Sequence, residues 1–172
     1  MTGEQKRVVI LDGYNVIHKI PALEAQFRQS LEASRRALLR MCREWTATRR
    51  DVWRFWVVFD GDSDVIGTGT EGGQGVVPLY TRSGETADAR IVSLLSSRSG
   101  DYRFAVVSED NFVRRNARAL GADVLRVSDF TAAHRRGRSR RARKAGGGDK
   151  ASLSSGQERE INEELRRVWG VE

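Results

Sequence analysis

The run Val8-Val9-Ile10-Leu11, followed at once by Asp12-Gly13-Tyr14-Asn15, constrains the fold most. Three β-branched residues and a leucine in a row read as a short strand buried on both faces, as in a parallel sheet covered by helices. In open α/β sheets, ligands sit just beyond the carboxyl ends of the strands. Asp12 therefore stands where a functional acid belongs, and the rest of the chain can be searched for its partners.

The elements that follow have the spacing of an α/β chain. Pro21 to Thr46 reads as one long helix, with Pro21 in its first turn and Leu31, Leu38, Leu39, Met41, Cys42 and Trp45 on one face. Val52 to Phe59 is a second strand, ending in Asp60-Gly61-Asp62-Ser63-Asp64. Gly67 to Gly75 has the composition of a loop, and Val76 to Tyr80 is a third strand. Thr86 suits the N-cap of a helix carrying Ile91, Val92, Leu94 and Leu95, which puts Asp88 in its first turn. Phe104 to Val107 is a fourth strand. Ser108 is a candidate cap for the next helix, which stops at Gly121. Val124 to Val127 is a fifth strand, and Ser128-Asp129 opens a short helix. This order predicts a three-layer α/β domain around a mainly parallel sheet.

Charge divides the chain. The formal net charge is +7, and the window from Arg135 to Lys150 carries all of it, with eight basic residues against Asp149. Such a segment is an electrostatic arm for a polyanion. Arg135, Arg136, Arg138, Arg140, Arg141, Arg143 and Lys144 are its nucleic-acid-binding candidates, joined by Arg82, Arg114 and Arg115 near the acids. The expected organisation is an α/β domain over residues 1–134, a disordered basic linker or arm rich in Arg, Gly and Ser over 135–156, and an amphipathic helix over 157–172. No run approaches the ~18 apolar residues of a membrane span. No signal peptide is expected at the N-terminus. Cys42 is the single cysteine, which excludes an internal disulfide and fits a reducing cytoplasm. With His18 and His134 the only histidines, a His/Cys metal site is not expected.

Four acids occupy equivalent places. Asp12 ends the first strand, Asp60 ends the second, Asp88 starts a helix, and Asp110 follows the fourth strand, with Glu109 beside it as an alternative ligand. Carboxylates brought together repel, so a cluster needs raised pKa values or a cation. Mg²⁺ and Mn²⁺ prefer such oxygen ligands, and a site of this kind can activate water against a phosphodiester. Each acid also has a plainer reading. Asp12 can close an Asx turn, Asp88 and Asp110 suit the helix dipole, and Asp60 can be a turn residue. Asp60, Asp62, Asp64 and Glu71 imitate a calcium loop, but Val65 stands where that loop needs glycine.

Leu11-Asp12-Gly13-Tyr14-Asn15, Phe59-Asp60-Gly61, Glu85-Thr86-Ala87-Asp88 and Ser108-Glu109-Asp110 occur in this order. In this combination the chain resembles the NYN branch of the PIN-like nucleases and, within it, the YacP-like bacterial ribonucleases, over roughly Arg7 to Phe130. The resemblance implies a PIN-like α/β/α fold and a Mg²⁺- or Mn²⁺-dependent endoribonuclease acting on mRNA. For the YacP-like branch it also implies association with the ribosome. Carried over by position, it makes Asp12, Asp88 and Asp110 catalytic, metal-holding acids and matches Asn15 in support; Asp60, at the site's edge, and Glu109, beside Asp110, are supporting candidates from their places in the sequence. The basic arm is not part of the resemblance. A non-catalytic RNA- or ribosome-binding module on the same fold is the alternative, and a phosphatase built on Asp60 and Asp62 is a third reading.

Overall fold

The first strand, β1 (Arg7–Asp12), lies at the centre of the sheet, and its side chains alternate between two cores. In the computed structural model described here, which covers residues 5–61, 75–97 and 100–146, Val9 and Leu11 point into one cluster and Val8 and Ile10 into the other. All four are almost wholly removed from solvent. That double burial is why the run shows no polar alternation.

The elements follow as α1 (Gly13–Lys19), α2 (Pro21–Gln29), α3 (Leu31–Thr46), β2 (Val52–Phe59), β3 (Val76–Tyr80), α4 (Ala87–Ser96), β4 (Arg103–Val107), α5 (Asn111–Ala119), β5 (Asp123–Leu125) and α6 (Val127–Gly146). The sheet order is β3-β2-β1-β4-β5, and every pairing is parallel. One cluster joins Phe55, Val57 and Phe59 of β2 to Leu38, Cys42 and Trp45 of α3 and to Phe130 of α6. The other joins Val58 and Val106 to Ile91 and Leu95 of α4 and to Val113 and Ala117 of α5. Helices on both faces of a parallel sheet make the expected α/β/α architecture of a PIN-like domain.

The chain leaves β1 toward β2 and β3 on one side, then returns to build β4 and β5 on the other. The connections after β1 and β4 therefore diverge, and a crevice opens where these neighbouring strands end. Asp12 pairs in register with Val58 and lies one residue beyond the Leu11–Val107 pair, so it stands at the floor of that crevice.

Several local expectations are corrected. Gly13 to Lys19, directly after β1, forms a helix that the spacing does not predict. The long helix expected over Pro21–Thr46 is broken at Ser30, whose extended backbone (φ −157°, ψ 121°) lets its Oγ cap α3 by accepting from the Ala33 N–H at 3.2 Å. Both halves are amphipathic, so periodicity alone runs through the break. Asp110, not Ser108, caps α5, accepting from the Val113 N–H at 3.0 Å. The fifth strand is Asp123–Leu125, with Val127 already helical.

The largest difference is α6. The chain is helical from Val127 to Gly146, so residues 135–146 are not the disordered stretch expected of them. Phe130 anchors the start of this helix against Trp45 and Phe55, with ring centroids 5.6 and 6.2 Å away. The His134 Nε2 meets the Glu44 Oε2 at 2.7 Å. Once its first turns are packed, each further residue of the helix adds a backbone hydrogen bond with the nucleation cost already met. The contacts divide the chain at Gly137, and the described part of the second unit, Arg138 to Gly146, is exposed helix. The glycine-rich segment up to Gln74, the imitation calcium loop, and the helix expected over 157–172 lie outside the described residues.

Candidate active site

The crevice is built from the turns after β1 and β4. Gly13 begins α1 directly after Asp12, and a Cβ there would stand 2.5 Å from the Phe59 ring and 2.9 Å from the Val58 carbonyl oxygen. Only glycine lets the chain turn this close to β2, which explains the Asp-Gly pair. The Asn15 side chain, one helical turn on, accepts from the Glu109 N–H at 2.9 Å. The Ser108 hydroxyl donates to Asp12 Oδ2 at 3.2 Å and receives the Asp110 N–H at 3.0 Å. These bonds tie the two turns together across the crevice.

Asp12 is 5% exposed, and Ser108 is fully buried. Burial first, then repulsion from Asp88 and Asp110, together push the Asp12 carboxyl up from the ordinary 3.8 to about 6, net of the lowering by the Ser108 and Asn15 hydrogen bonds. The Asp88 carboxyl is also raised, first by burial, then by Asp110 and Asp60. Three of these acids thus reach one another's fields from elements far apart in sequence, and Asp60 joins them through Asp88. No ion pair involves Asp12, Asp60, Asp88 or Asp110 among the described residues.

Each acid is held differently. Thr86 caps α4 by accepting from the Ala89 N–H at 3.2 Å, which sets Asp88 in the first turn near the positive end of the helix. Asp110 gives Oδ1 to the α5 cap. Asp60 follows β2, and its Oδ1 accepts from the buried Thr81 hydroxyl at 3.2 Å. Glu109 is turned away to structural work. Its Oε1 accepts from the Val127 N–H at 2.9 Å at the start of α6, and its Oε2 lies 3.7 Å from Arg114 Nη1.

Among the described residues, no three His, Cys, Asp or Glu side chains stand as a ready-made metal cage. Mg²⁺ does not require one, since it commonly takes one or two carboxylates and completes its shell with water and phosphate oxygens. A buried carboxylate repelled by two others, with no ion-pair partner among the described residues, fits such an ion. Cys42 is excluded as a ligand, because it is fully buried in α3 and its thiol is pushed well above the usual range.

The basic candidates separate by position. Arg114 is half-buried and engaged by Glu109. Arg82 and Arg115 are exposed, as are Arg135, Arg136, Arg138, Arg140, Arg141, Arg143 and Lys144 along α6. The sequence offered no sign of Arg35. Its guanidinium donates through Nε and Nη2 to the Tyr14 hydroxyl, the first at 2.7 Å, and lies over the Phe59 and Tyr80 rings. With Tyr14, His18, Phe27 and Leu31 it lines a groove of about 440 Å³ that ends at Asp60 and Gly61. Ser108 and Thr81 were missed as site residues too; hydroxyls this common carry no signal until their neighbours are known.

The comparisons with known proteins give the family and the fold separately. The model of the YacP-like NYN domain matches residues 9–169, which extends over the basic helix and beyond the Arg7–Phe130 reach of the sequence motifs. The crystal structure of a tryptophan-to-leucine mutant of Rae1 (YacP) from Bacillus subtilis superposes with a TM-score of 0.69 at 22% identity, covering 88% of this chain and 89% of that one. A second crystal structure of Rae1 (YacP) from Bacillus subtilis gives 0.63 at 22% identity, with 95% of each chain covered. No curated protein matches the chain. These two likenesses carry the fold, and the match along nearly the whole chain carries the rest: the protein belongs to the YacP-like NYN domain family, a nuclease-type family that acts on RNA.

Proposed function

We infer that the protein is a metal-dependent endoribonuclease that cuts mRNA, with the ribosome as its partner. The observation that carries this reading is Asp12, a carboxyl buried at the end of the central strand, repelled by Asp88 and Asp110 and, among the described residues, without an ion-pair partner. A fold keeps such an arrangement at a cost to stability, and a bound cation offsets that cost. Asp12, Asp88 and Asp110 would hold Mg²⁺ or Mn²⁺, with Asp60 at the edge. Bound there, the ion supplies charge stabilisation to the phosphoryl group and an activated water.

The chain's own residues do the positioning. Ser108 orients Asp12 by donating to Oδ2. Asn15 fixes the Glu109 backbone, and with it the turn that presents Asp110. In-line hydrolysis at this centre leaves a 5′-phosphate and a 3′-hydroxyl. The row of exposed cations on α6 supports a salt-sensitive grip on the RNA phosphates or on ribosomal RNA. The single reduced Cys42 suits a cytoplasmic protein.

The test incubates the purified protein with single- and double-stranded RNA and with translating ribosomes, in magnesium, in manganese and in EDTA, beside Asp12→Asn. Cleavage by the parent in either metal, none in EDTA and none by Asp12→Asn is expected. A variant that cuts at the parent rate in magnesium overturns the assignment. RNA binding without metal-dependent cleavage would instead favour a non-catalytic binding module, against which the retained acids weigh by repelling phosphate.

A further inference from the structure

The crevice has a second groove on its Asp88 side. It has a volume of about 640 Å³ and runs between α4 and α5, lined by Thr86, Asp88, Ala89, Val92, Ser93 and Phe112. Phe112 is two residues after Asp110, in the first turn of α5, and is 57% exposed, more than Trp53 and Leu31, the other exposed large apolar residues among those described. Trp53 has the Lys6 ammonium 4.3 Å from its ring centre, whereas no ring or cation faces Phe112 among the described residues. Packing does not explain it either. The core side of α5 is carried by Val113 and Ala117, both fully buried.

We propose that this groove is a stacking subsite for one unpaired nucleobase of the RNA substrate, with the Phe112 ring as its platform. The inference rests on the nuclease reading for the identity of the strand. Three observations select a base over other occupants. The groove is continuous with the acid site, because Asp88 belongs to both. Its wall carries Asp88 and no basic residue, which suits the flat face of a base and not a phosphate. An aromatic ring binds any base by its π face, as single-strand-binding proteins do. A strand whose scissile phosphate lies over the carboxylates can turn a neighbouring base onto Phe112, and that fixes which phosphate faces Asp12. Ser93 lines the same groove and offers a hydroxyl to the base edge. Phe112 is on this reading a positioning residue.

The experiment measures binding and not only turnover. The full chain carrying Asp12→Asn is titrated with short oligoribonucleotides that hold 2-aminopurine at successive positions, alone and combined with Phe112→Ala, Phe112→Leu or Phe112→Trp. Phe112→Ala should weaken binding roughly five- to a hundredfold and abolish the fluorescence quench at one position in the strand. Phe112→Trp should restore both, and Phe112→Leu, apolar but without a ring, should not. In the cleaving parent, Phe112→Ala should raise KM and scatter the cleavage position. Because Phe112 is exposed, its variants should melt within a degree or two of the parent, and Phe112→Trp reports on the site whichever way Phe112→Ala folds. Unchanged affinity and quench in Phe112→Ala overturn the subsite and leave the groove to a protein partner, while the nuclease reading stands if the parent still cuts RNA. If nothing cuts RNA but Phe112→Ala still loses the quench, the nuclease reading fails and the subsite survives.

Discussion

Replacing Asp12 by Asn removes a charge that the fold holds unfavourably. The Asp12 carboxyl keeps its proton up to about 6, against 3.8 for an ordinary aspartate. Between those values the folded protein binds more protons than the unfolded chain, so the stability of the cation-free protein should fall as pH rises from about 4 to about 6 and stay low above it. The shift corresponds to at most about 3 kcal/mol. Asp12→Asn should therefore be more stable than the parent at pH 7.5 in EDTA, by up to about 3 kcal/mol, while losing cleavage. Added Mg²⁺ should stabilise the parent and not the variant. Urea melts across that range of pH, with and without the ion, measure all three effects; a parent with a flat profile in EDTA contradicts the account. Gly13 is the second telling residue. Gly13→Ala drives a methyl into the Phe59 ring and the Val58 carbonyl and should cost about 1–3 kcal/mol, read by the same melts.

Helices deliver the acids, and their caps decide where those acids stand. Asp110 both caps α5 and faces Asp12, so its two roles can be separated by substitution. Asparagine caps nearly as well as aspartate but carries no charge. Asp110→Asn should keep the melting temperature and lose most cleavage, whereas Asp110→Ala should lose cleavage and about 1 kcal/mol of stability as well. Equal stability of the two variants would mean that the cap contributes nothing. The break at Ser30 has a similar local cause. Its hydroxyl satisfies the Ala33 N–H, and α3 starts there in a new direction while α2 ends. Glu109 shows the converse. Its sequence position suits a ligand, but it satisfies the first turn of α6 and holds Arg114.

At the scale of the whole chain, the net charge and the acids belong to different stretches of sequence. The net +7 belongs to the segment that the structure forms, as far as Gly146, into exposed helix. A helix presents its arginines on a fixed spacing, which suits the phosphates of structured RNA better than a loose arm does. Replacing Arg138, Arg140, Arg141 and Arg143 together by Gln should weaken RNA binding and flatten its dependence on salt, by up to about three units of slope if each cation meets one phosphate. Binding measured from 50 to 300 mM salt, a range on the order of that over which counterion release is read, checks this. Cleavage of a short RNA at saturating concentration should change much less, since the acids are untouched.

The strands were legible in the sequence because a doubly buried strand leaves a continuous apolar run, and β1, β2 and β4 each show one. The α4 cap at Thr86 was legible because its signal spans only a few residues. The four acids could be named from their places after strands and in first turns, but not their meeting. That depended on the sheet order, which sets β4 beside β1 and brings Ser108 and Asp110 to Asp12 across ninety-odd residues of chain. The helical state of residues 135–146 was hidden for a related reason. Their composition alone favours solvation, and what forms the helix is upstream, where Phe130 and His134 dock on α3. Local sequence thus determined the strands, the caps and the list of acids, because those follow from short-range sterics and burial. Only the tertiary structure decided which acids share a field, since electrostatic repulsion acts through space and takes no account of position along the chain.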